Sequence, residues 1–153
     1  LCCCVIDWSK DSGGKVMQLS EHFHLSEFVR SQTADAMGWT NNPPPEAVRR
    51  TQMLCLRVLE PIRQRINCPI IVTSGYRSLK LNQAIGGSQT SSHIYGAAAD
   101  IYAACMDAPE LKDVSLKTVS EFDQLYLHRR NNFVHVSYRV GNNRNQVLPD
   151  KDT

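Results

Sequence analysis

The stretch FDQLYLHRRNNFVHVSYR, residues 122–139, decides the architecture of this chain. Phe122 to Leu127 and Phe133 to Arg139 are rich in apolar and aromatic residues and read as strands. His128-Arg129-Arg130-Asn131-Asn132 between them is short and polar, which suggests a hairpin. Working back toward the N-terminus, Ala97 to Ala103 reads as a third strand. Pro69-Ile70-Ile71-Val72-Thr73 is a β-branched run and reads as a fourth. Earlier segments have helical spacing instead. From Glu46 to about Ile66, Val48, Met53, Leu54, Leu56, Val58, Leu59 and Ile62 recur near a 3.6-residue period, with Pro61 expected to kink the run or begin a new turn. Short helices are expected from Leu25 to Gly38, with Ser26 as N-cap, and from Ser78 to Ile85, ended by Gly86-Gly87. Another is expected over Leu111 to Val119. Helices come first and a sheet later, so the fold class is α+β: a small antiparallel sheet packed by helices.

With 153 residues, the chain is about one domain and long enough to bury a core. A net charge of +2 with no lysine or arginine run gives no argument for nucleic acid. No apolar stretch approaches the roughly 18 residues a spanning helix needs. The six cysteines contain no C-x-x-C pair, so neither a zinc ribbon nor a thioredoxin-like site is indicated. Cys55, Cys68 and Cys105 are scattered; Cys55 and Cys105 read as buried free thiols, which points to synthesis in a reducing compartment. Residues 1–18, with the unexplained run Cys2-Cys3-Cys4 and a joint at Gly13-Gly14, read as a flexible tail. Residues 19–145 read as the domain, and 146–153 as a polar, exposed C-terminal tail.

Residues 91–100, SSHIYGAAAD, place His93 and Asp100 among small residues. Zinc takes imidazole nitrogen and carboxylate oxygen, and a catalytic site keeps one position open. A third ligand must come from elsewhere among the five histidines. His22 and His24 precede the first helix, where a solvated or capping role fits. His135 lies inside the apolar strand FVHVSY and is the natural companion.

Several motifs then agree in order. Ser91, His93, Gly96, Ala98 and Asp100 form S-x-H-x-x-G-x-A-x-D. SEHFHLSEFVRSQTA precedes it, then VLEPIR, VTSGYRS and LNQAIGGSQTSSH, and FDQL and FVHVSY close it. Together, over about residues 19 to 145, they resemble the M15 zinc peptidases of the D-Ala-D-Ala carboxypeptidase and L-Ala-D-Glu endopeptidase group, in its phage and gut-bacterial branch. The resemblance implies a Hedgehog/D-Ala-D-Ala-peptidase-like single domain, with Zn2+ held by His93, Asp100 and His135. Ser91 would support the ligand loop. Gly96 and the alanines would let the backbone pass close to the metal. Arg77, in SGYRS, would face the cleft and stabilise an oxyanion with its fork of donors. Tyr76 and Ser78 would be wall residues.

The general base is not given by the resemblance. Relatives carry a carboxylate three residues before the last histidine ligand, or at the end of the strand that begins with FDQL. Here those positions are Asn132 and His128. Two candidates stay open: Asp123 and His128. If the hairpin pairs Leu127 with Phe133, Asp123 shares a face with His135; a one-residue slip brings His128 to that face instead. An imidazole is a sound base, since it ordinarily titrates near about 6.5. Gln124 would be a hydrogen-bonding group, either to substrate or to a residue that supports the metal ligands. The reading is a monomeric peptidoglycan hydrolase acting at the bacterial cell wall on stem peptides with D-amino acids. The alternative is a zinc-stabilised binding or phage structural module without catalysis.

Overall fold

The computed structural model describes residues 17–152. Cys2, Cys3, Cys4 and the Gly13-Gly14 joint lie outside the described residues, as does most of the expected N-terminal tail. Two short helices, α1 (Leu25–Val29) and α2 (Gln32–Met37), open the domain. The N-cap of α1 is His24 rather than Ser26, and Glu27 accepts a hydrogen bond from the His24 backbone N–H at 2.7 Å. Gly38, at φ 66°, closes α2 in the left-handed conformation that glycine adopts without strain.

A long helical run follows: α3 (Pro45–Leu54), a π-helical turn (Cys55–Leu59) and α4 (Glu60–Ile66). The expected kink at Pro61 is absorbed by that turn. Proline has no N–H and clashes with the carbonyl four residues back; in the widened turn the Glu60 N–H donates to Cys55 O, five residues back.

The sheet contains β1 (Ile70–Ser74), β2 (Ala98–Ala103), β3 (Gln124–His128), β4 (Phe133–Ser137) and β5 (Gln146–Val147), in the order β1-β2-β4-β3-β5. Between strands lie α5 (Leu79–Ala84), a 3-10 turn (Ser92–Tyr95) and α6 (Ala108–Thr118). The first four strands pair antiparallel, as expected; β5 joins β3 in parallel and makes the sheet mixed. The segment expected to be a C-terminal tail is thus an exposed but paired edge. Leu148 N–H donates to Leu125 O, and Lys151 N–H to Leu127 O.

Register divides the sheet into two chemical faces. Ile101, Val134 and Leu127 lie side by side, as do Ala99, Val136 and Leu125, all buried with Leu54, Val58, Ile62 and Leu111 of the helices. The opposite face carries Asp100, His135 and Tyr126 in one row.

The reading of the cysteines needs correcting. Cys68 and Cys105 form a disulfide, and only Cys55 is a buried free thiol among the described residues. Cys105 sits at the exposed exit of β2, not in the core. The antiparallel register that sets Ile70 opposite Ala103 brings the two cysteines together. A disulfide removes the argument for a reducing compartment.

Candidate metal centre and its cleft

His93, Asp100 and His135 come from three different elements: the 3-10 turn, β2 and β4. Asp100 and His135 are direct cross-strand partners. His93 reaches them because Gly96, at φ 72°, ends its turn directly before β2. A side chain at Gly96 would sit 2.4 Å from Ala47 O and 2.9 Å from Thr51 Oγ1. The small residue is therefore required by the close approach of α3, not by passage of the backbone beside a metal. Thr51 Oγ1 donates to Gly96 O at 2.9 Å and ties the turn to the helix.

The three side chains are buried, and their ligand atoms lie within 4.8 Å of one another. His93 Nδ1–H donates to the Gly75 carbonyl at 2.7 Å. That bond fixes the tautomer and turns the Nε2 lone pair inward. His93 Nε2 is 3.3 Å from Asp100 Oδ1, and His135 Nδ1 is 2.8 Å from the same oxygen. Burial alone would raise the Asp100 pKa, but His93 and His135 override it and hold the carboxyl far below the usual range. Burial pushes the His135 imidazole down, toward the neutral form a metal requires. Two inward-facing imidazoles and one carboxylate, open on one side to a cleft, fit zinc with a free fourth position.

The cleft holds about 720 Å³. Arg77 lies on its wall, 17% exposed, with Nε donating to Ser74 Oγ at 3.0 Å and Nη2 to Asp100 Oδ2 at 3.3 Å. It is thus held by the ligand carboxylate as well as facing the cleft. Ser91 Oγ accepts from the His93 N–H at 3.3 Å and also lines the cleft. Tyr76 faces a neighbouring groove that meets the cleft at Arg77. Ser78 is not a wall residue: its Oγ caps α5 by accepting from Leu81 N–H.

The hairpin register separates the two candidate bases. Tyr126 opposes His135, Leu127 opposes Val134, and His128 opposes Phe133. Asn132 takes a left-handed φ of 51°, which asparagine tolerates, and closes the loop one residue sooner than expected. His128 therefore lines the cleft, stacked on Phe133 at 4.7 Å. Asp123, the other candidate, is corrected. Its side chain is fully buried, does not line the cleft, and is clamped by Arg144 Nε and Nη2, each at 2.8 Å. The Arg144 bonds come first among the causes that hold its carboxyl below the usual range. Asn132 is also spent elsewhere, accepting from the Ala108 N–H at the start of α6. Gln124 lines the cleft and donates to Gln146 Oε1.

Tyr126 was missed in the sequence. It stacks on His135 with ring centroids 4.5 Å apart, and Lys151 Nζ lies over its ring, 4.2 Å from the centroid. Burial, reinforced by Asp100, raises its pKa to about 12. It is a neutral O–H donor on the cleft floor. Only the slipped register could have revealed it.

Fold and site together define a class: an α+β domain with a buried His/Asp/His group that could hold a metal beside an open cleft. The family model described as Peptidase M15 matches residues 21–137, and the chain belongs to the M15 peptidase family. That family is generally zinc-dependent, and membership implies a peptide substrate. No curated protein matches the chain. No helix among the described residues is long and apolar enough to cross a membrane.

Proposed function

We propose that this protein is a zinc-dependent hydrolase of peptidoglycan stem peptides containing D-amino acids, acting at the bacterial cell wall. The observation that carries the reading is the buried His93/Asp100/His135 group, open to a cleft that Arg77 and His128 also line. Zinc held by His93, Asp100 and His135 would supply Lewis acidity for activating water and polarising a carbonyl. His128 accepts the proton from the attacking water at Nε2, because its Nδ1 is buried without a partner among the described residues. Arg77 and the Tyr126 hydroxyl donate toward the oxygen that gains charge. Ser91 and the Gly75 carbonyl keep His93 in place, and Gln124 offers an amide to the substrate backbone.

Digestion of purified peptidoglycan, with mass spectrometry of the released fragments, tests this. His135→Ala should abolish release. His128→Gln should slow it by about 10²–10⁴-fold, the usual worth of a general base. The second reading, a zinc-stabilised module without catalysis, is favoured by Asp123 and Asn132 both being committed to structural bonds. It would show zinc bound at one equivalent and no fragments from the wild-type protein.

A further inference from the structure

The charge of the cleft is one-sided. Arg77, Arg139, Arg144 and Lys151 line it, against the single carboxylate of Asp100. Arg77 already serves Asp100, and Lys151 lies over Tyr126. Arg139 and Arg144 differ, because the metal group does not use them. Both converge on one oxygen of Asp123: Arg144 Nη2 at 2.8 Å and Arg139 Nε at 3.2 Å from Oδ2.

Asp123 is fully buried behind them, while the two guanidinium side chains are 41% and 45% exposed. One carboxylate thus anchors two cations and leaves one positive charge uncompensated. Arg144 uses Nε and Nη2 on Asp123, and its backbone N–H also points there at 3.3 Å. No side chain among the described residues accepts from the terminal nitrogens of Arg139. The rotamer entropy that usually weakens an exposed arginine is already spent in the anchor. Free donors held in place beside a cleft, with surplus positive charge, suit a planar oxyanion such as a carboxylate.

We infer that Arg139 and Arg144 form a carboxylate-binding subsite for the peptide substrate, with Asp123 as their positioning residue. The inference rests on the peptidase reading above. Arg139 lies four residues along the chain from His135, on the order of 13 Å in extended backbone. Allowing for the reach of the side chain, the bound carboxylate lies about two to three residues from the scissile bond. The subsite therefore selects acidic peptides, and a peptide amidated at that position is a poorer substrate.

The test uses the full zinc-loaded chain and the tetrapeptide L-Ala-γ-D-Glu-meso-diaminopimelyl-D-Ala, with forms in which each carboxylate in turn is a carboxamide. Cleavage kinetics are read as KM and kcat separately, and binding is read by calorimetry. One amidated form should show KM raised about tenfold with kcat little changed. Arg139→Gln and Arg144→Gln should impose the same loss on the acidic peptide and none on that amidated form. Arg139→Gln keeps the Arg144–Asp123 clamp, so it answers even if the other variant folds poorly. Equal KM for all forms, or a preference that survives both substitutions, overturns the subsite and leaves the peptidase reading standing. If nothing is cleaved but the acidic peptide still binds selectively through the two arginines, the subsite stands and the peptidase reading falls. Neither cleavage nor selective binding overturns both.

Discussion

Gly96→Ala should be strongly destabilising beside the metal group, and the cost separates into parts. The first is conformational. At φ 72° an L-residue meets its own carbonyl, which costs about 1–2 kcal/mol. The second is steric. The added methyl would sit 2.4 Å from Ala47 O, about 1 Å inside the 3.4 Å at which ordinary contact begins. That oxygen belongs to the backbone of α3 and cannot rotate away, so the turn must lift at an overpacking cost of about 1–3 kcal/mol. Lifting it stretches the buried Thr51–Gly96 hydrogen bond, worth about 1 kcal/mol more. The expected total is about 3–6 kcal/mol, a large share of a domain's usual stability. Gly38→Ala is the control: its φ is 66°, but nothing lies within 4 Å of the new methyl, so only the conformational part applies. Urea unfolding of both variants without metal, followed by circular dichroism, gives the difference. Zinc titration should then show weaker binding for Gly96→Ala alone, since His93 lies in the displaced turn. If the two variants unfold within about 1 kcal/mol of each other, the contact with α3 does not set the position of His93.

Other consequences are simpler to measure. Zinc should raise the melting temperature, by an amount equivalent to about 2.7 kcal/mol at a hundred times its dissociation constant, and His135→Ala should remove that gain in calorimetry. Reducing the Cys68–Cys105 bond, whose partners are 37 residues apart, should cost about 2–4 kcal/mol in urea unfolding; no change would mean the β1–β2 pairing already fixes these ends. Asp123 has a depressed pKa, so its stabilisation is present above the unfolded value near about 3.9 and is lost as pH falls through the lower folded value. The stability gap between wild type and Asp123→Asn should therefore be constant above about pH 5 and close in acid; a gap independent of pH would refute the ion-pair account. Asn132→Asp should leave peptidoglycan release unchanged and should not rescue His128→Gln, because this exposed residue faces the start of α6 and not the cleft.

The parts of this molecule legible in the sequence are those written in local pattern. The helix over α3 and α4 shows in the spacing of Val48, Leu54, Val58 and Ile62, and the strands show in their β-branched runs. The convergence of His93, Asp100 and His135 was reached through ordered motifs rather than periodicity, because the pairing of Asp100 with His135 spans non-consecutive strands. What stayed hidden depends on register or on partners far away in the chain. Cys105 follows an apolar run and reads as core, yet it is the strand exit that meets Cys68. The C-terminal residues are polar and exposed, and nothing local signals that Leu148 and Lys151 hydrogen-bond to β3.

The hairpin shows how much chemistry one residue of register controls. Side chains alternate across a sheet, so every position on β3 belongs either to the core or to the cleft. With Leu127 opposite Val134, the residues Leu125 and Leu127 fill the core, while Gln124, Tyr126 and His128 face the metal group. Shifted by one, the two leucines would face the cleft and Tyr126 would enter the core without a partner for its hydroxyl. Burying the leucines rather than the tyrosine favours the observed register by several kcal/mol, at about 1.5–3 kcal/mol per large apolar side chain. Asn132 makes that register reachable by turning left-handed at the end of the loop. Asn132 thus takes part in delivering an imidazole, His128, to the cleft. Asp123, on the other face of the same alternation, is left to anchor the two arginines at the far end.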